Sequence, residues 1–279
     1  MSAVRKNRVP AHVALRDTLG AYELPSFPTV VASVLDAVRD PHQGLAKIAD
    51  ILAPDPRLSV RVLAAANSAA FGGGRTVTNI RQAVGLLGAL NVESIALSVG
   101  VRGALNAPDV PGFDQKRFWL TAARRAIVAR TLAAKYEPEE ASICFTVGLL
   151  QDMAVPMLVA ARREAYTLIL SRARQGHHDL ASLERKSLGM DHAQTGGLLC
   201  EVWELPGTLA RAVRLHHEVN DSVPVPISIV ADMPYEDDEI CIAHVASCVN
   251  ERLGMPLDQA QILVNECFSQ ADQFARVLR

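Results

Sequence analysis

The chain has 279 residues, of which 49% are hydrophobic and only 5% aromatic, and its formal net charge is −2. This length predicts one large domain or two closely packed lobes, and the near-neutral charge argues against a basic nucleic-acid-binding surface and against attraction to an acidic membrane. The five cysteines lie in apolar helical patterns without a CxxC pair, which predicts reduced core residues of a cytoplasmic protein. Neither a signal peptide nor a membrane span is predicted.

The composition changes along the chain in a way that predicts an arm followed by two lobes. Residues 1–20 are mixed and carry several basic side chains, which predicts a flexible N-terminal arm. A first helical lobe is predicted over residues 21–106, and a second over residues 113–279, with NAPDVPG as the linker between them. Residues 220–235 are rich in proline and predict irregular chain. No strand pattern persists, so the sequence predicts an all-α fold of two packed helical lobes.

Helix starts are marked by side chains that can accept hydrogen bonds from the first-turn amides. Residues predicted to cap helices in this way are Asp55 (followed by Pro56), Thr78, Asn91, Asp114, Asp179 and Asp191. Asp191 and Gln194 have the spacing of a capping box, which places His192 at the first helical position. The glycine run at 72–74 follows a helix, whereas a phosphate-binding loop follows a strand, so this run predicts a flexible loop.

Two helical stretches are rich in arginine, and their role could be structural or nucleic-acid binding. The residues concerned are Arg124, Arg125, Arg130, Arg162, Arg163, Arg172 and Arg174. Acidic residues nearly cancel these charges over the whole chain, and a solvated helix face is the commoner reason for such a run. The sequence therefore favours solvated faces over a nucleic-acid interface.

The most informative stretch is ICFTVGLLQDMAVPML, residues 143–158, an apolar run that contains the adjacent polar residues Gln151 and Asp152. A buried aspartate needs a metal, a cation or hydrogen-bond donors beside it. Alternatively, Asp152 caps the next helix, whose first turn would hold Pro156. A histidine at position 151 would complete a metal-binding His-Asp pair, but the neutral amide that stands there is a poor ligand.

Four further histidines have predicted positions. His177 and His178 lie in a turn after an amphipathic helix and are expected to be solvated. His216 and His217 follow Val213 by three and four residues, so at least one of them should face the protein interior.

Several motifs together resemble the HDOD family (HD-related output domain), a bacterial signalling family. They are LPSFPTVVASVLDAVRDP, IADILAPDPRLSVRVLAAANSAAFG, RTVTNIRQAVGLLG, FTVGLLQDMAVPML, ERKSLGMDHAQTGGLLCEVWELP and LHH, in this order over residues 20–217. The resemblance implies that the second lobe is similar to the metal-dependent HD phosphohydrolase fold, with catalytic ligands that are usually lost in this family. It also implies that the helices behind residue 217 are an HD-like extension.

The resemblance also implies where an HD metal site would lie. Its first histidine would stand at Thr121, its His-Asp pair at Gln151 and Asp152, and its late aspartate at Ser247. The matching positions that keep ligand-type side chains are Asp152, His192, His216 and His217. Because three of the four core ligands are replaced, the resemblance predicts a vestigial cavity without catalytic residues, metal or cofactor.

The sequence therefore predicts a non-enzymatic signal-transduction module that binds a signalling protein. One alternative is a small-ligand or single-metal sensor that uses the vestigial cavity. Another is a residual metal-dependent phosphohydrolase acting on a nucleotide or cyclic dinucleotide. A nucleotide second messenger stays open as a ligand, although no residue pattern supports it. The candidate partner surface carries Asn67, Ser68 and Arg75, whereas a structural role for these residues as a helix end is the other interpretation.

Overall fold

The computed structural model describes residues 10–71, 76–175, 179–218, 223–231, 233–234 and 237–278. Helices dominate these residues, and their only β pairing is an isolated bridge between Val110 and Phe113. The predicted all-α fold is confirmed. The predictions for the glycine run 72–74 and for Arg75, His177 and His178 lie outside the described residues.

In the described residues of the first lobe, the helices are α2 (Thr29–Arg39), α3 (Leu45–Leu52), α4 (Pro56–Ala66), α5 (Ile80–Leu87) and α6 (Ala89–Ala104). Asp55 caps α4 as predicted, because its side chain accepts a hydrogen bond from the Leu58 amide. The cap of α5 is Asn79 rather than Thr78. Helix α6 begins at Ala89, so Asn91 lies inside its first turn instead of capping it. Gly88, with a φ of 74°, provides the sharp turn that brings this start forward.

The second lobe begins with the long helix α7 (Gln115–Tyr136) and a short 3₁₀ turn at Pro138–Glu140. The helices that follow are α8 (Ala141–Leu150), α9 (Ala154–Ala161), α10 (Arg163–Arg174), α11 (Leu180–Leu188), α12 (His192–Val202), α13 (Gly207–Leu215), α14 (Val225–Ala231), α15 (Asp238–Leu253) and α16 (Leu257–Leu278). The predicted caps Asp114, Asp179 and Asp191 all accept amide hydrogen bonds, and the capping box at Asp191 is complete. The prediction of irregular chain over 220–235 is wrong where α14 forms.

The N-terminal arm is also a correction, because residues 11–19 form a helix, α1 (Ala11–Leu19). Leu15 and Leu19 are buried, and α1 packs on α12 of the second lobe. Arg162 donates from Nε to the carbonyl oxygen of Thr18 at 2.7 Å, close to the C-terminal end of α1. Cationic side chains stabilise helix C-termini in this way. No side chain caps the start of α1 after Pro10, so the helix has only a weak sequence signal.

Helices α7 and α8 pack with unusually close backbones, and this contact positions the candidate site. A Cβ atom at Gly148 of α8 would lie 2.9 Å from the carbonyl oxygen of Arg125 and 3.0 Å from the Cα atom of Ala126. Only glycine fits this contact without displacing a backbone. Because Asp152 follows Gly148 by four residues, the close approach brings Asp152 next to the side chain of Arg125.

The two lobes are joined by polar and aromatic contacts. The hydroxyl groups of Ser94 on α6 and Thr146 on α8 lie 2.5 Å apart in the buried junction. Arg130 on α7 donates to the carbonyl oxygen of Ala70, and its guanidinium lies 4.2 Å from the ring centroid of Phe71. These contacts extend the core across both lobes.

The stretch Pro138–Ala161 is long and apolar enough to cross a membrane by length and composition, although no membrane span was predicted. In the fold it is broken into the 3₁₀ turn, α8 and α9, and 89% of its most apolar window is buried inside the protein. This burial is typical of a core helix.

Candidate functional site

Asp152 lies in the turn between α8 and α9, and its charge is met by a buried arginine. Asp152 is 4% exposed and Arg125 of α7 is 2% exposed. Arg125 donates from Nη1 to Oδ2 of Asp152 and from Nη2 to the carbonyl oxygen of Met233, the latter at 3.0 Å. The alternative that Asp152 caps α9 is wrong, because Met153 holds the N-cap position and no side chain caps that helix.

The prediction that the arginine-rich faces are solvated is wrong for Arg124 and Arg125, because both side chains are buried. Arg124 is buried on α7, where it forms a bidentate pair with Asp238 and a further contact with Asp272. Both arginines therefore serve the packing of α7 against its neighbours.

The histidine cluster consists of His192, His216 and His217. His192 begins α12 and His216 and His217 follow α13; a ligand atom of each lies within 4.8 Å of those of the other two. The Nε2 atoms of His216 and His192 lie 3.3 Å and 3.5 Å from Oδ1 of Asp152. Nε2 of His217 lies 2.9 Å from Nε2 of His192. The cluster therefore faces one carboxylate oxygen of Asp152, while Arg125 binds the other.

A second carboxylate, that of Glu184 on α11, contacts the Nδ1 side of the His192 ring and orients it. Glu184 is fully buried, and its Oε2 atom accepts from the backbone N–H of His192 at 2.7 Å and lies 2.6 Å from Nδ1 of the ring. Its Oε1 atom accepts from the hydroxyl group of Tyr166. The Nδ1 side of the imidazole is thus held by a carboxylate that Tyr166 fixes in turn.

These contacts and burial shift the pKa values of Asp152, His192 and His216 in different directions. Burial alone would raise the pKa of Asp152, but Arg125 and the two buried histidines bring it well below 3.8. Burial would lower the pKa of His192, but Glu184 and Asp152 outweigh it and raise this pKa to about 9. For His216, burial dominates and lowers the pKa to about 4. At neutral pH the metal-free cluster therefore holds a charged His192 and a neutral His216.

Gln151, Thr121 and Ser247, the residues predicted to stand at lost ligand positions, differ in burial and in hydrogen bonding. Gln151 is fully buried, and neither of its amide atoms has a hydrogen-bond partner in the part of the chain that the structure describes. Thr121 is buried one helical turn before Arg125. Ser247 does not line the cavity, because it is exposed on α15 and donates to Glu251 at 3.0 Å. The alignment of Ser247 with a late aspartate is therefore not supported by its position.

The two described residues of the candidate partner surface, Asn67 and Ser68, form hydrogen bonds within the first lobe. Asn67 at the end of α4 donates to the carbonyl oxygens of Leu63 and Val77, and it accepts from the amide of Val77 at 2.7 Å. Ser68 is buried and donates to the carbonyl oxygen of Ala65. Both residues close the loop after α4, which favours their structural interpretation.

Sequence reasoning missed three residues of the site, namely Arg125, Glu184 and Tyr166. Arg125 follows Thr121 by four residues, so it faces the same neighbours on α7. That spacing could have suggested a cation for Asp152. Nothing comparable marks Glu184 or Tyr166, because their contact with His192 depends on how α10, α11 and α12 pack together.

The residues present do not fit a site with two metal ions. Such a site needs several anionic or imidazole ligands around each ion so that attacking and leaving oxygens are both stabilised. Here Thr121 and Gln151 supply no anionic or imidazole ligand, and Oδ2 of Asp152 is occupied by the guanidinium of Arg125. A second cation beside Arg125 would meet like-charge repulsion.

The fold and the site define a two-lobed helical protein with an HD-like second lobe. The chain belongs to the HDOD family, whose domain matches residues 24–219, so the resemblance inferred from the motifs is confirmed. Among curated proteins, an uncharacterised protein of Treponema pallidum (strain Nichols) is 25% identical over 199 residues, which are 71% of this chain. They are 38% of that protein, so the chain spans well under half of its relative.

Solved structures share the fold over nearly the whole chain. A candidate phosphohydrolase from Shewanella amazonensis SB2B has a TM-score of 0.73 and 26% identity, with 95% of this chain and 98% of that chain covered. An HDOD domain protein with unknown function from Geobacter sulfurreducens has a TM-score of 0.68 at 20% identity, covering 95% and 98%. A candidate signal transduction protein from Marinobacter aquaeolei VT8 has a TM-score of 0.71 at 21% identity, covering 95% and 61%.

Proposed function

We propose that this HDOD chain is a non-enzymatic signal-transduction module that acts through a protein partner and keeps its HD-like site as part of its structural core. The observation that carries the proposal is the buried ion pair of Arg125 and Asp152. A carboxylate that serves a catalytic metal must be open to that metal, whereas this one is held by a cation that belongs to the chain itself.

The surroundings of Asp152 support a structural role for the pair. The second terminal nitrogen of the Arg125 guanidinium donates to the carbonyl oxygen of Met233, and the backbone of Arg125 is in close contact with Gly148. Removing one member of a buried ion pair is strongly destabilising. The pair therefore ties α7 to the turn between α8 and α9.

A phosphohydrolase is the competing function, because two of the similar solved structures carry that description. Similarity of fold does not establish activity, which depends on the residues of the site. In this chain the ligand positions hold Thr121 and Gln151, and the guanidinium of Arg125 lies against Asp152. These groups favour a module that transmits a signal by binding over one that hydrolyses a phosphodiester.

The proposal can be tested in the native host by complementing a deletion of the gene. Gln151→Leu replaces an unpartnered buried amide by an apolar side chain of similar size, and Thr121→Val removes a hydroxyl group with little change in shape. We expect both variants to restore the wild-type phenotype, because a structural core does not need these polar groups. Loss of the phenotype by either variant, at normal protein level measured by immunoblot, would contradict the proposal.

A further inference from the structure

We infer that a cavity between the two lobes, called here the junction cavity, binds a small amphipathic anion, that is, a carboxylate or phosphate group on a short apolar body. This site goes beyond the proposed function, because a module that binds a protein partner needs no small ligand. It is also separate from the histidine cluster, whose residues do not line it. The junction cavity has a volume of about 350 Å³ and is lined by Arg102, Lys116, Trp119, Leu120 and Ala275.

The junction cavity lies where the lobes meet. Arg102 belongs to the last turn of α6 in the first lobe, and Ala275 to the last turn of α16. The other lining residues belong to the first two turns of α7, and α16 packs on both α6 and α7. A ligand in this cavity contacts both lobes, so its binding favours the arrangement of the lobes that it fits best. The site thereby gives a signalling module an input from a small molecule.

The first argument for a ligand is the buried indole of Trp119. This side chain is 3% exposed, and its Nε1–H group has no acceptor in the part of the chain that the structure describes. A buried donor without a partner is costly and uncommon in native proteins. The other indole of the chain, that of Trp203, donates to the carbonyl oxygen of Pro25 at 3.0 Å. Because Trp119 lines the junction cavity, a ligand oxygen there supplies the missing acceptor.

The second argument is the charge of the lining. The guanidinium carbon of Arg102 lies 6.0 Å from the ring centroid of Trp119. Arginine has five N–H donors, so Arg102 can serve a ligand in addition to its other contacts. Lys116 is exposed and forms no ion pair within the described residues, whereas its neighbour Arg117 lies 3.9 Å from Asp237. The described lining holds two cations and no carboxylate, which favours an anion.

Asp114 is the acidic residue at this end of α7, and its charge serves the helix. Its Oδ1 atom accepts from the backbone amides of Lys116 and Arg117 at 2.8 Å and 3.1 Å. A carboxylate in this position stabilises the N-terminus of a helix. It forms no ion pair with the ammonium group of Lys116, which therefore keeps its charge for the cavity.

The remaining lining determines the body of the ligand. The ring of Trp119 and the side chains of Leu120 and Ala275 present apolar surface. The volume is near the lower end of the range of small-molecule sites, about 300–1,000 Å³. A divalent cation is disfavoured by the two positive charges, and a wholly polar anion would leave the apolar surface without a partner. The lining therefore fits an anionic head group on a short apolar chain.

The test measures binding to the full chain by isothermal titration calorimetry at low salt. The probes are octanoate and octyl phosphate, which distinguish the two head groups, with octanol and inorganic phosphate as the matched probes that lack the charge or the apolar chain. We expect at least one of the two amphipathic anions to bind at one site per chain with a dissociation constant below about 1 mM. Octanol and inorganic phosphate should bind at least about tenfold more weakly, and added salt should weaken binding of the anion.

Variants locate the site. Arg102→Met should weaken binding of the anion about tenfold, because a hydrogen bond to a charged group is lost, and Trp119→Phe should have a similar effect because it removes the indole N–H. Lys116→Met should cost less, since this side chain is exposed. Arg81→Met, which breaks an exposed pair on the first lobe, should bind like the wild type. In Trp203→Phe protein, Trp119 is the single indole, and its fluorescence should change saturably with the anion.

Three results would overturn the inference. The first is that neither amphipathic anion binds wild-type protein with a dissociation constant below about 1 mM. The second is that octanol binds as tightly as the anions. The third is that folded Arg102→Met and Lys116→Met proteins both bind like the wild type. None of these results depends on hydrolysis, so this inference and the proposed function fail by different measurements.

Discussion

At the scale of single residues, each buried carboxylate of the site lies next to a side chain that can carry a positive charge. Asp152 faces Arg125 through one oxygen and the histidine cluster through the other, while Glu184 faces His192. Each buried carboxylate is thereby paired, which is the condition under which such groups are tolerated in a core. The sequence alone predicted that Asp152 needs a partner, but a partner 27 positions earlier in the chain is a property of helix packing.

The first prediction concerns the Arg125–Asp152 pair. Arg125→Met leaves a buried carboxylate without its cation, so we expect the free energy of unfolding to fall by about 3–5 kcal/mol in chemical denaturation. The matched control is Arg81→Met, which breaks the pair with Asp50, whose side chains are 61% and 55% exposed. That change should cost less than about 1 kcal/mol. Equal losses in the two variants would contradict the burial of the pair.

The second prediction concerns pH and His192 in metal-free protein. The pKa of His192 is raised from 6.5 to about 9, so the folded state binds this proton more tightly than the unfolded state. Its contribution is complete below pH 6.5 and is lost as the pH rises through about 9. The shift corresponds to about 3 kcal/mol. We therefore expect the free energy of unfolding, measured with a chelator present, to fall between pH 6.5 and 9.

The variant His192→Gln should lose most of this pH dependence, whereas His12→Gln, at an exposed position of α1, should keep it. If His192→Gln and the wild type showed parallel curves over this range, His192 would not be the group responsible.

At the scale of helices, helix starts were predicted most accurately where a capping side chain marks the boundary. Asp55, Asp114, Asp179 and Asp191 all cap the helices that they were predicted to cap. Prediction failed where no side chain marks the start, as at α1, or where glycine geometry moves it, as at Gly88 before α6. The helix α14 was missed because the prolines near its start suggested irregular chain.

The third prediction uses two glycines inside helices. Gly148→Ala would place a Cβ atom 2.9 Å from a backbone oxygen of α7, so we expect a loss of about 1–3 kcal/mol in unfolding free energy. Gly85→Ala on α5 meets nothing within 4 Å and should stabilise the protein by about 0.5–1 kcal/mol. The same chemical change thus has opposite signs at the two positions. A neutral or stabilising Gly148→Ala would contradict the close α7–α8 contact.

At the scale of the whole molecule, motif order predicted the fold and the family, because several motifs in register are far more specific than any one residue. It also predicted which positions would meet in space, since Asp152, His192, His216 and His217 form one cluster. It did not place Ser247 or α1 correctly. Those positions depend on how α15 faces its neighbours and on the packing of α1 against α12, which carry no local signal.

For the whole molecule, the proposal to be tested is that Arg125 supplies the positive charge that a metal would supply at Asp152, and that the chain does not hydrolyse phosphodiesters. The most direct measurement is product formation from cyclic dinucleotides, linear dinucleotides and nucleoside phosphates with Mn²⁺, Fe²⁺ or Mg²⁺, using wild-type protein and the similarly shaped Asp152→Asn variant. We predict no turnover above the protein-free rate for either protein. Turnover by the wild type that disappears in a folded Asp152→Asn variant would contradict the claim.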